Sequence, residues 1–491
     1  MNYIGISAGF HDAAISVVNQ AGDILFAAHS ERYSKKKHDK DICNKLVLDA
    51  LTHTDSDQLQ YHYYERPWVK AARQVRSGEG FRWPTWDRLL GTAYNTMGRP
   101  DIHTHGHHLC HAAAGFQTSP FDDATVVVID AIGEFDTITI WDAWYEQGRA
   151  QYKKVWSRGY PHSIGLFYSA MTQRVGLKPM DEEYILMGMA AYGQPHYLDE
   201  MRGTFLNSNE QLKFTQNLHI GANKDFVEHA DPMDIAASAQ ALVEQLIHNV
   251  MYQARQHGRS RNLVYGGGVA LNCLANRSLG NFYENIWIMP NPGDAGNSLG
   301  AACLAYGAKV TWTDCFLGYN IPGDYPVNSI LDVLLTDKIV GVASGRAEFG
   351  PRALGNRSLL ADPRGLSIKS RVNEIKRRQK FRPFAPVILE EYAHQYFDMP
   401  KHWDNSRYMQ VISTCRDPEL FPAIVHHDGT SRVQTVPKDG SGIRELLEKW
   451  HVMTGCPMLL NTSLNIRGEP MVNDLQDADR FRRLYGIKVC S

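Results

Sequence analysis

No Cys-x-x-Cys pair occurs in these 491 residues, and the eight cysteines (43, 110, 273, 303, 315, 415, 456 and 490) are dispersed along the chain. That spacing suggests neither a thiolate zinc cage nor a disulfide framework, and most of the cysteines are expected to be small buried hydrophobes. No run of eighteen apolar residues is present, which excludes a membrane-spanning helix read from hydropathy. The stretch "MNYIGISAGFHDAAISVV" lacks a basic n-region and is interrupted by His11 and Asp12, so a secretory leader is not expected and the reading is a cytoplasmic protein. Net charge is also scarce, at −2 with a pI near 6.9. Such a chain has no global field for holding a polyanion, so small ligands are favoured over a stable nucleic-acid partner. Neither G-x-x-x-x-G-K-[ST] nor G-x-G-x-x-G occurs in its glycine-rich turns.

What is present is a soluble, globular composition, 43% hydrophobic and 21% charged, on a chain too long for one core, so two or more domains are expected. The first thirty residues read as strand, turn, strand, turn, strand: "YIGIS", "AGFHD", "AAISVV", "NQAGD", "ILFAA". The pattern returns in "TVVVID", "AIGEFD" and "TITIWD" from Thr125. A recurrence at that distance suits two related α/β halves facing each other across a cleft, lined by the turns at Gly9 and Gly133. Two unrelated hairpins would look the same. Helices are expected around Ile164 to Val175 and Ala236 to His257.

From Asn262, "NLVYGGGVALNCLANRSL" is a strand entering Gly266, Gly267 and Gly268 and leaving through a helix that carries Asn272. That geometry can present backbone N–H groups to a nucleotide phosphate or ribose, with a tight structural turn as the alternative. In "MPNPGDAGNSLGAA", Asp294 precedes a small-residue helix, where its carboxylate either reaches a ligand or caps the helix.

Beyond "FLGYNIPGDYPVN" (316–328) the composition shifts and a domain boundary is expected. From Arg346 to Arg382 there are eleven Lys or Arg (346, 352, 357, 364, 369, 371, 376, 377, 378, 380, 382) against three acids (348, 362, 374). An excess of eight cations in a chain of net charge −2 concentrates positive charge where a small anionic substrate can be held. Lys369, Arg377 and Arg378 fit a solvated helix face. The arginines of "GRAEFGPRALGNRS" fit a shaped loop presenting guanidinium forks.

"HTHGHHLCHAAAGF" packs five histidines into nine residues from His103. On a helix, His107 and His111 share a face at spacing four and His108 and His111 at spacing three, and spacing alone does not choose between these pairs. Asp130 ends an apolar strand, where a buried carboxylate is costly without a partner.

"GFHDAA", "SERYSKKKHD", "HHLCHAAAGF", "GGGVALN", "NPGDAGNSLGAA", "GRAEFGPRALGNRSLLADPR", "KRRQKFRPFAPV" and "PMLLNTSLNIRGEP" together resemble the NodU/CmcH family of O-carbamoyltransferases, in family order over nearly the whole chain. "PMDEEYILMGMAAYG" departs from the family pattern in carrying acids where a segment with more glycine and lysine is expected. The resemblance implies an α/β protein with an actin-like ATPase domain over residues 1–320, similar to the tRNA threonylcarbamoyl-adenosine transferases, and a YrdC-like α/β domain over 328–491. It implies a divalent metal, usually iron with manganese or zinc as alternatives, held by His107, His111, Asp130 and Asp294. His108 then lies behind the site or at the surface, and His103 and His105 in a loop.

The implied chemistry joins carbamoyl phosphate and ATP, with Mg2+ accompanying the nucleotide, into carbamoyl-adenylate, and passes the carbamoyl group to a hydroxyl acceptor. Fixed cations are needed to bring two phosphoryl compounds together. Arg352, Lys376 and Arg382 are assigned to that task, with Asn461 and Ser463 as neutral donors. Arg346 and Arg357 either join them or hold the loop. His11 is expected to be the base that takes the acceptor proton as a neutral imidazole, with ordering of its turn as the alternative. Lys36 matches a family position near the nucleotide or acceptor, leaving Lys35 and Lys37 solvated. Threonylcarbamoyl-adenosine synthesis on tRNA and a non-catalytic nucleotide and metal sensor are the competing functions. The acceptor, whether sugar, aminoglycoside, nucleoside or modified base, is open, as is a homo-oligomer.

Overall fold

A computed structural model describes every residue except 209, 380, 381 and 441, and leaves the side chain of residue 366 undescribed. Lys380 of the basic segment therefore lies outside the described residues. The first sheet combines β1 (Asn2–Ser7), β2 (Ala14–Asn19), β3 (Ile24–His29), β4 (Leu59–Tyr63) and β5 (Ile102–Thr104) in the order β3-β2-β1-β4-β5. The first three strands pair antiparallel, and β4 and β5 join in parallel. The second sheet combines β6 (Asp123–Gly133), β7 (Asp136–Glu146), β8 (Arg149–Gly159), β9 (Asn262–Gly266) and β10 (Asn285–Trp287) in the order β10-β9-β6-β7-β8. Its first three strands are again antiparallel and the last two parallel. The recurring pattern at Tyr3 and Thr125 is thus one topology used twice, the duplicated sheet of the actin-like ATPase fold.

Between the sheets lie α1 (His107–Thr118) and α4 (Asn297–Tyr306), while α2 (Ile164–Arg174) and α3 (Pro232–His257) cover the outer face of the second sheet. Both inner helices are rich in alanine and glycine because there is no room for more. A Cβ on Gly300 would sit 2.0 Å from the Cys110 carbonyl oxygen of α1, and one on Gly5 of β1 would sit 1.8 Å from that of Ser298. This close packing brings the start of α1 and the start of α4 to the same point between the halves. Seven of the eight cysteines are buried, as their dispersal suggested.

Past β11 (Phe316–Ile321), which pairs antiparallel with β13 (Gly345–Glu348), the chain builds a six-stranded mixed sheet. Its strands are β12 (Ile339–Ala343), β14 (Arg357–Ala361), β15 (Ala385–Leu389), β16 (Gln434–Val436), β17 (Met458–Ser463) and β18 (Val489–Cys490), in the order β16-β15-β17-β14-β12-β18. Two apolar clusters on this sheet, one around Leu359, Ile388 and Leu460 and the other around Val340, Val387 and Trp450, contain no residue before Ile321.

Of the two alternatives for Arg346 and Arg357, the hydrogen bonds of both favour holding the loop. Arg357 is fully buried and donates to the carbonyl oxygens of Tyr319, Ser344, Gly345, Asn356 and Asn473 at 2.9–3.2 Å. Arg346 donates to the carbonyls of Leu25, Leu317 and Gly318, tying β11 to β3. Each carbonyl stranded without its donor costs about 1–3 kcal/mol. Arg357→Met is therefore expected to lose at least ~3 kcal/mol of stability, read as a lower denaturant midpoint, since several buried acceptors lose their donor together.

Candidate active site

The apolar run of β6 delivers Asp130 into the cleft, the first two turns of α1 deliver His107 and His111, and the 3-10 turn before α4 delivers Asp294. All four side chains are buried, and one ligand atom from each lies within 4.8 Å of the others. His107 Nε2 is 3.1 Å from His111 Nε2, 3.3 Å from Asp130 Oδ2 and 3.4 Å from Asp294 Oδ1, which is also 3.4 Å from His111 Nε2. Burial opposes charging His107, but Asp294 and Asp130 outweigh it and hold the imidazole well above its ordinary range. Burial likewise pushes Asp294 up, and His107 and His111 overcome it and hold the carboxyl well below the usual carboxylate range. Asp130 accepts the backbone N–H of Gly268 at 3.2 Å on its other oxygen. Two imidazole nitrogens and two carboxylates converging in a buried place form a donor set that fits a borderline divalent cation. Asp294 caps nothing: no side-chain cap bond is found at α4.

His108, expected behind the site or at the surface, is fully buried with Nδ1 2.9 Å from Thr139 Oγ1. His103 lies in β5 rather than in a loop, and both it and His105 stack against His62.

The turn after β1 carries His11 and Asp12, the latter in the left-handed region at φ 53°. His11 Nε2 is 3.9 Å from Asp294 Oδ2, and its Nδ1 is 2.9 Å from Asp12 Oδ2. Burial would lower the His11 pKa, but Asp12 and Asp294 push it up to about 9. This corrects the expectation of a neutral ring: His11 can act as a base only once the charge of Asp294 and Asp130 is taken up elsewhere. The lysine of "SKKKHD" that meets the cleft is also different from the one expected. Lys36 is exposed and does not line the cavity, whereas Lys37 does and pairs with Asp181 at 2.7 Å. The reason is local, since Lys35 ends its short helix in the left-handed conformation at φ 63° and redirects the next residues. Lys35 pairs with Asp477.

Of the glycine turn, Gly268 and Asn272 face the cavity and Gly266 and Gly267 do not. Gly267 is required by close approach and by its φ of 87°: a Cβ there would lie 2.2 Å from the Ile129 carbonyl oxygen. The segment continues as a 3-10 turn and a single helical turn instead of a long helix. The Asn272 amide is paired with Gln240 at 3.0 and 3.1 Å.

These groups open onto a cavity of about 450 Å³ that also reaches the six-stranded sheet. Arg352, Lys376, Arg378, Arg382, Arg432 and Arg467 line it, with Asn461 and Ser463 among them. Arg352 is held down at about 9 by loss of water and by Arg432 and Arg382, and Arg378 is held well below its ordinary range by burial and Arg382. Mutual repulsion among cations of this number is relieved by an anion. Lys376 is buried and donates to both Ser463 and Asn465, on backbone and side-chain oxygens. Asn461 donates to the Ala353 carbonyl at 3.0 Å and to Gln434 Oε1 at 2.7 Å.

Two corrections concern the basic segment. Arg346 is outside the cavity, because its guanidinium is used by three carbonyls. Arg378, expected on a solvated face with Lys369 and Arg377, folds back 3.9 Å over Phe384, donates to Asn373 and lines the cavity. Sequence reasoning missed Arg432, which ends the short strand Thr430–Arg432 in a stretch with no motif and has a buried Nε without a partner among the described residues, and Arg467, whose motif "LNIRGEP" was visible.

Residues 61–303 match the family model described as Carbamoyltransferase N-terminus, and 331–489 match Carbamoyltransferase C-terminus. The chain is 32% identical to the uncharacterized protein sll1178 of Synechocystis, over 97% of this chain and 93% of that one. It is 30% identical to nodulation protein NolO of Bradyrhizobium diazoefficiens over 76% of this chain and 75% of that one, and 28% identical to nodulation protein NolNO of Sinorhizobium fredii over 95% and 76%. Among solved structures, the activator of 2-hydroxyisocaproyl-CoA dehydratase from Clostridium difficile aligns over 62% of this chain and 94% of its own at 14% identity, with a TM-score of 0.36. At that level the fold assignment rests on strand order alone. Two consecutive family domains and a relative matched over nearly its full length lead to one conclusion: this chain is a transferase enzyme of the carbamoyltransferase family.

Proposed function

We propose that this carbamoyltransferase works in two half-reactions, the first served by residues 328–491 and the second by residues 1–320. In the first, carbamoyl phosphate, ATP and water yield carbamoyl-adenylate, phosphate and pyrophosphate. In the second, an acceptor hydroxyl attacks the carbamoyl carbon, the new C–O bond forms as the bond to the adenylate oxygen breaks, and AMP leaves. The observation that carries this reading is a single cavity lined by the six cations and also by His11, Asp130 and Asp294. Two phosphoryl donors need such cations to offset their repulsion, and a weakly electrophilic carbamoyl carbon needs an activated leaving group. Arg352, Arg378, Arg382, Arg432 and Arg467 then bind the anions. Lys376 holds the Ser463 and Asn465 loop among them, and Gly268 and Asn272 face the nucleotide.

His107, His111, Asp130 and Asp294 would hold a divalent ion, for which we propose iron(II), with manganese or zinc fitting the same donors. When bound, such an ion supplies Lewis-acid charge against oxyanion development. His11 takes the proton of the acceptor hydroxyl, a small molecule, sugar or nucleoside. Among the described residues no helix is long and apolar enough to cross a membrane.

Incubation with ATP, carbamoyl phosphate and candidate alcohols tests the reading by mass spectrometry. A mass gain of one carbamoyl group on an alcohol, with release of pyrophosphate and phosphate, is expected. Turnover with threonine and bicarbonate instead would overturn it. For the metal centre, His107→Ala or His111→Ala should remove most of the bound ion, whereas His108→Ala should largely keep it because its ring faces Thr139. Metal analysis of the purified variants decides this, and equal loss in all three would refute the four-residue assignment.

A further inference from the structure

The departure in "PMDEEYILMGMAAYG" brings Asp181 to the His11 side of the cavity. His11 Nδ1 lies 2.9 Å from Asp12 Oδ2, Asp12 Oδ1 lies 2.7 Å from His38 Nδ1, and His38 Nε2 lies 2.8 Å from Asp181 Oδ1. Asp181 is held in turn by Lys37 at 2.7 Å and Lys178 at 3.0 Å. The His38 backbone N–H donates to Glu31 Oε2 at 2.9 Å, which fixes the turn it sits on. We propose that Asp12, His38 and Asp181 form a hydrogen-bonded relay that keeps the His11 proton on Nδ1 and leaves Nε2 free to take the acceptor proton. They are positioning residues, and the proposal rests on the reading of His11 as the transfer base.

The chemistry of the partners decides the proton positions. A carboxylate only accepts, so a ring nitrogen facing one must carry the proton. His11 is therefore Nδ1–H, and His38, with a carboxylate at each nitrogen, is the doubly protonated cation. Burial would lower the His38 pKa, but Asp12 and Asp181 outweigh it and hold it up at about 10. Asp12 thus receives one imidazole on each oxygen and is fixed in orientation, in a left-handed conformation that L-residues avoid. A second cation among Asp12, Glu31 and His38 is the rival use of this cluster. Both nitrogens of His38 are already engaged, by Asp12 at 2.7 Å and Asp181 at 2.8 Å, so a cation there would have to displace one of these contacts together with its proton. The acid at position 181, where the chain departs from its family pattern, is then the outer anchor of the base.

Which ring nitrogen of His11 carries the proton can be read by long-range 1H–15N correlation NMR on the full-length, zinc-loaded protein with 15N-labelled histidine, at a pH where His11 is neutral. His11→Gln assigns its signal. The proton is expected on Nδ1 in the unmodified chain, and it should shift toward Nε2 in Asp12→Ala and His38→Ala. In His38→Asn it should return to Nδ1, because the amide N–H replaces the imidazole donor to Asp12. If Asp12→Ala does not fold, the His38→Ala and His38→Asn pair carries the same comparison. A proton on Nε2 in the unmodified chain, or no shift in the alanine variants, would overturn the relay. The spectrum needs no carbamoyl donor or acceptor, so absence of carbamoyl transfer would sink the reaction proposed above and leave the relay standing.

Discussion

Arg382→Ala is expected to lower carbamoyl-adenylate formation by about 10³-fold or more, the scale on which a cation acts at a transferring phosphoryl group, while transfer from supplied carbamoyl-adenylate continues. Lys376→Ala should give the same division for a different reason. Arg382 lies 4.8 Å over the Tyr184 ring in a cavity shared with Arg352, Arg378 and Arg432, where its charge would act on the proposed phosphoryl donors. The ammonium of Lys376 is spent on Ser463 and Asn465, so its removal frees that loop as well as deleting a charge. Lysine at position 382 should therefore recover part of the lost rate, whereas arginine at 376 should not, because a planar fork does not fit the four oxygens that the ammonium serves. Pyrophosphate release reports the first half-reaction and AMP release the second. Equal loss of both in Arg382→Ala would show that the anion cradle and the transfer site are not separate.

His11→Ala is expected to leave carbamoyl-adenylate formation intact and to slow transfer to the alcohol by about 10²–10⁴-fold, the range for loss of a positioned base. Bound metal should not change, since His11 is not among the four clustered ligands and stands 3.9 Å from Asp294. His11→Asn should be as slow as the alanine variant, because an amide reproduces a hydrogen bond but accepts no proton near neutral pH. The pKa of about 9 sharpens this test. It arises from Asp12, Asp294 and Asp130 acting against burial, so removing the proposed cation from the four-residue cluster should leave His11 protonated and mimic its replacement at neutral pH. Near-full transfer by His11→Asn would reduce His11 to an ordering role and move the base elsewhere.

Much of the fold was legible in local pattern. The three strands before His29 and the pair from Thr125 stand where alternation and turn residues put them, and α2 and α3 fall on the expected apolar stretches. Asp130 and the two histidines four apart were visible as chemistry, since the type and spacing of donors are properties of the chain itself. The spacing of His107, His108 and His111 left two pairs open, and only the packing of α1 against β6 turns His108 toward Thr139.

The misreadings share one cause. The family resemblance places Lys36, and neighbours in sequence place Arg346 and Arg378, yet a long flexible cation goes wherever unpaired oxygen or an aromatic face is nearest in space. A left-handed residue at Lys35 exchanged Lys36 for Lys37, three carbonyls captured Arg346, and Phe384 drew Arg378 inward. Composition and periodicity by themselves mark two strand-turn-strand stretches and a basic segment beyond them, because burial of apolar faces is a local demand repeated along the chain; that the two stretches are halves of one topology and not unrelated hairpins is decided by the strand order. Which cations share one cavity, and that Asp181 stands behind His38 and Asp12, were decided only by tertiary structure, because charge interactions depend on distances between residues that are tens to more than a hundred positions apart.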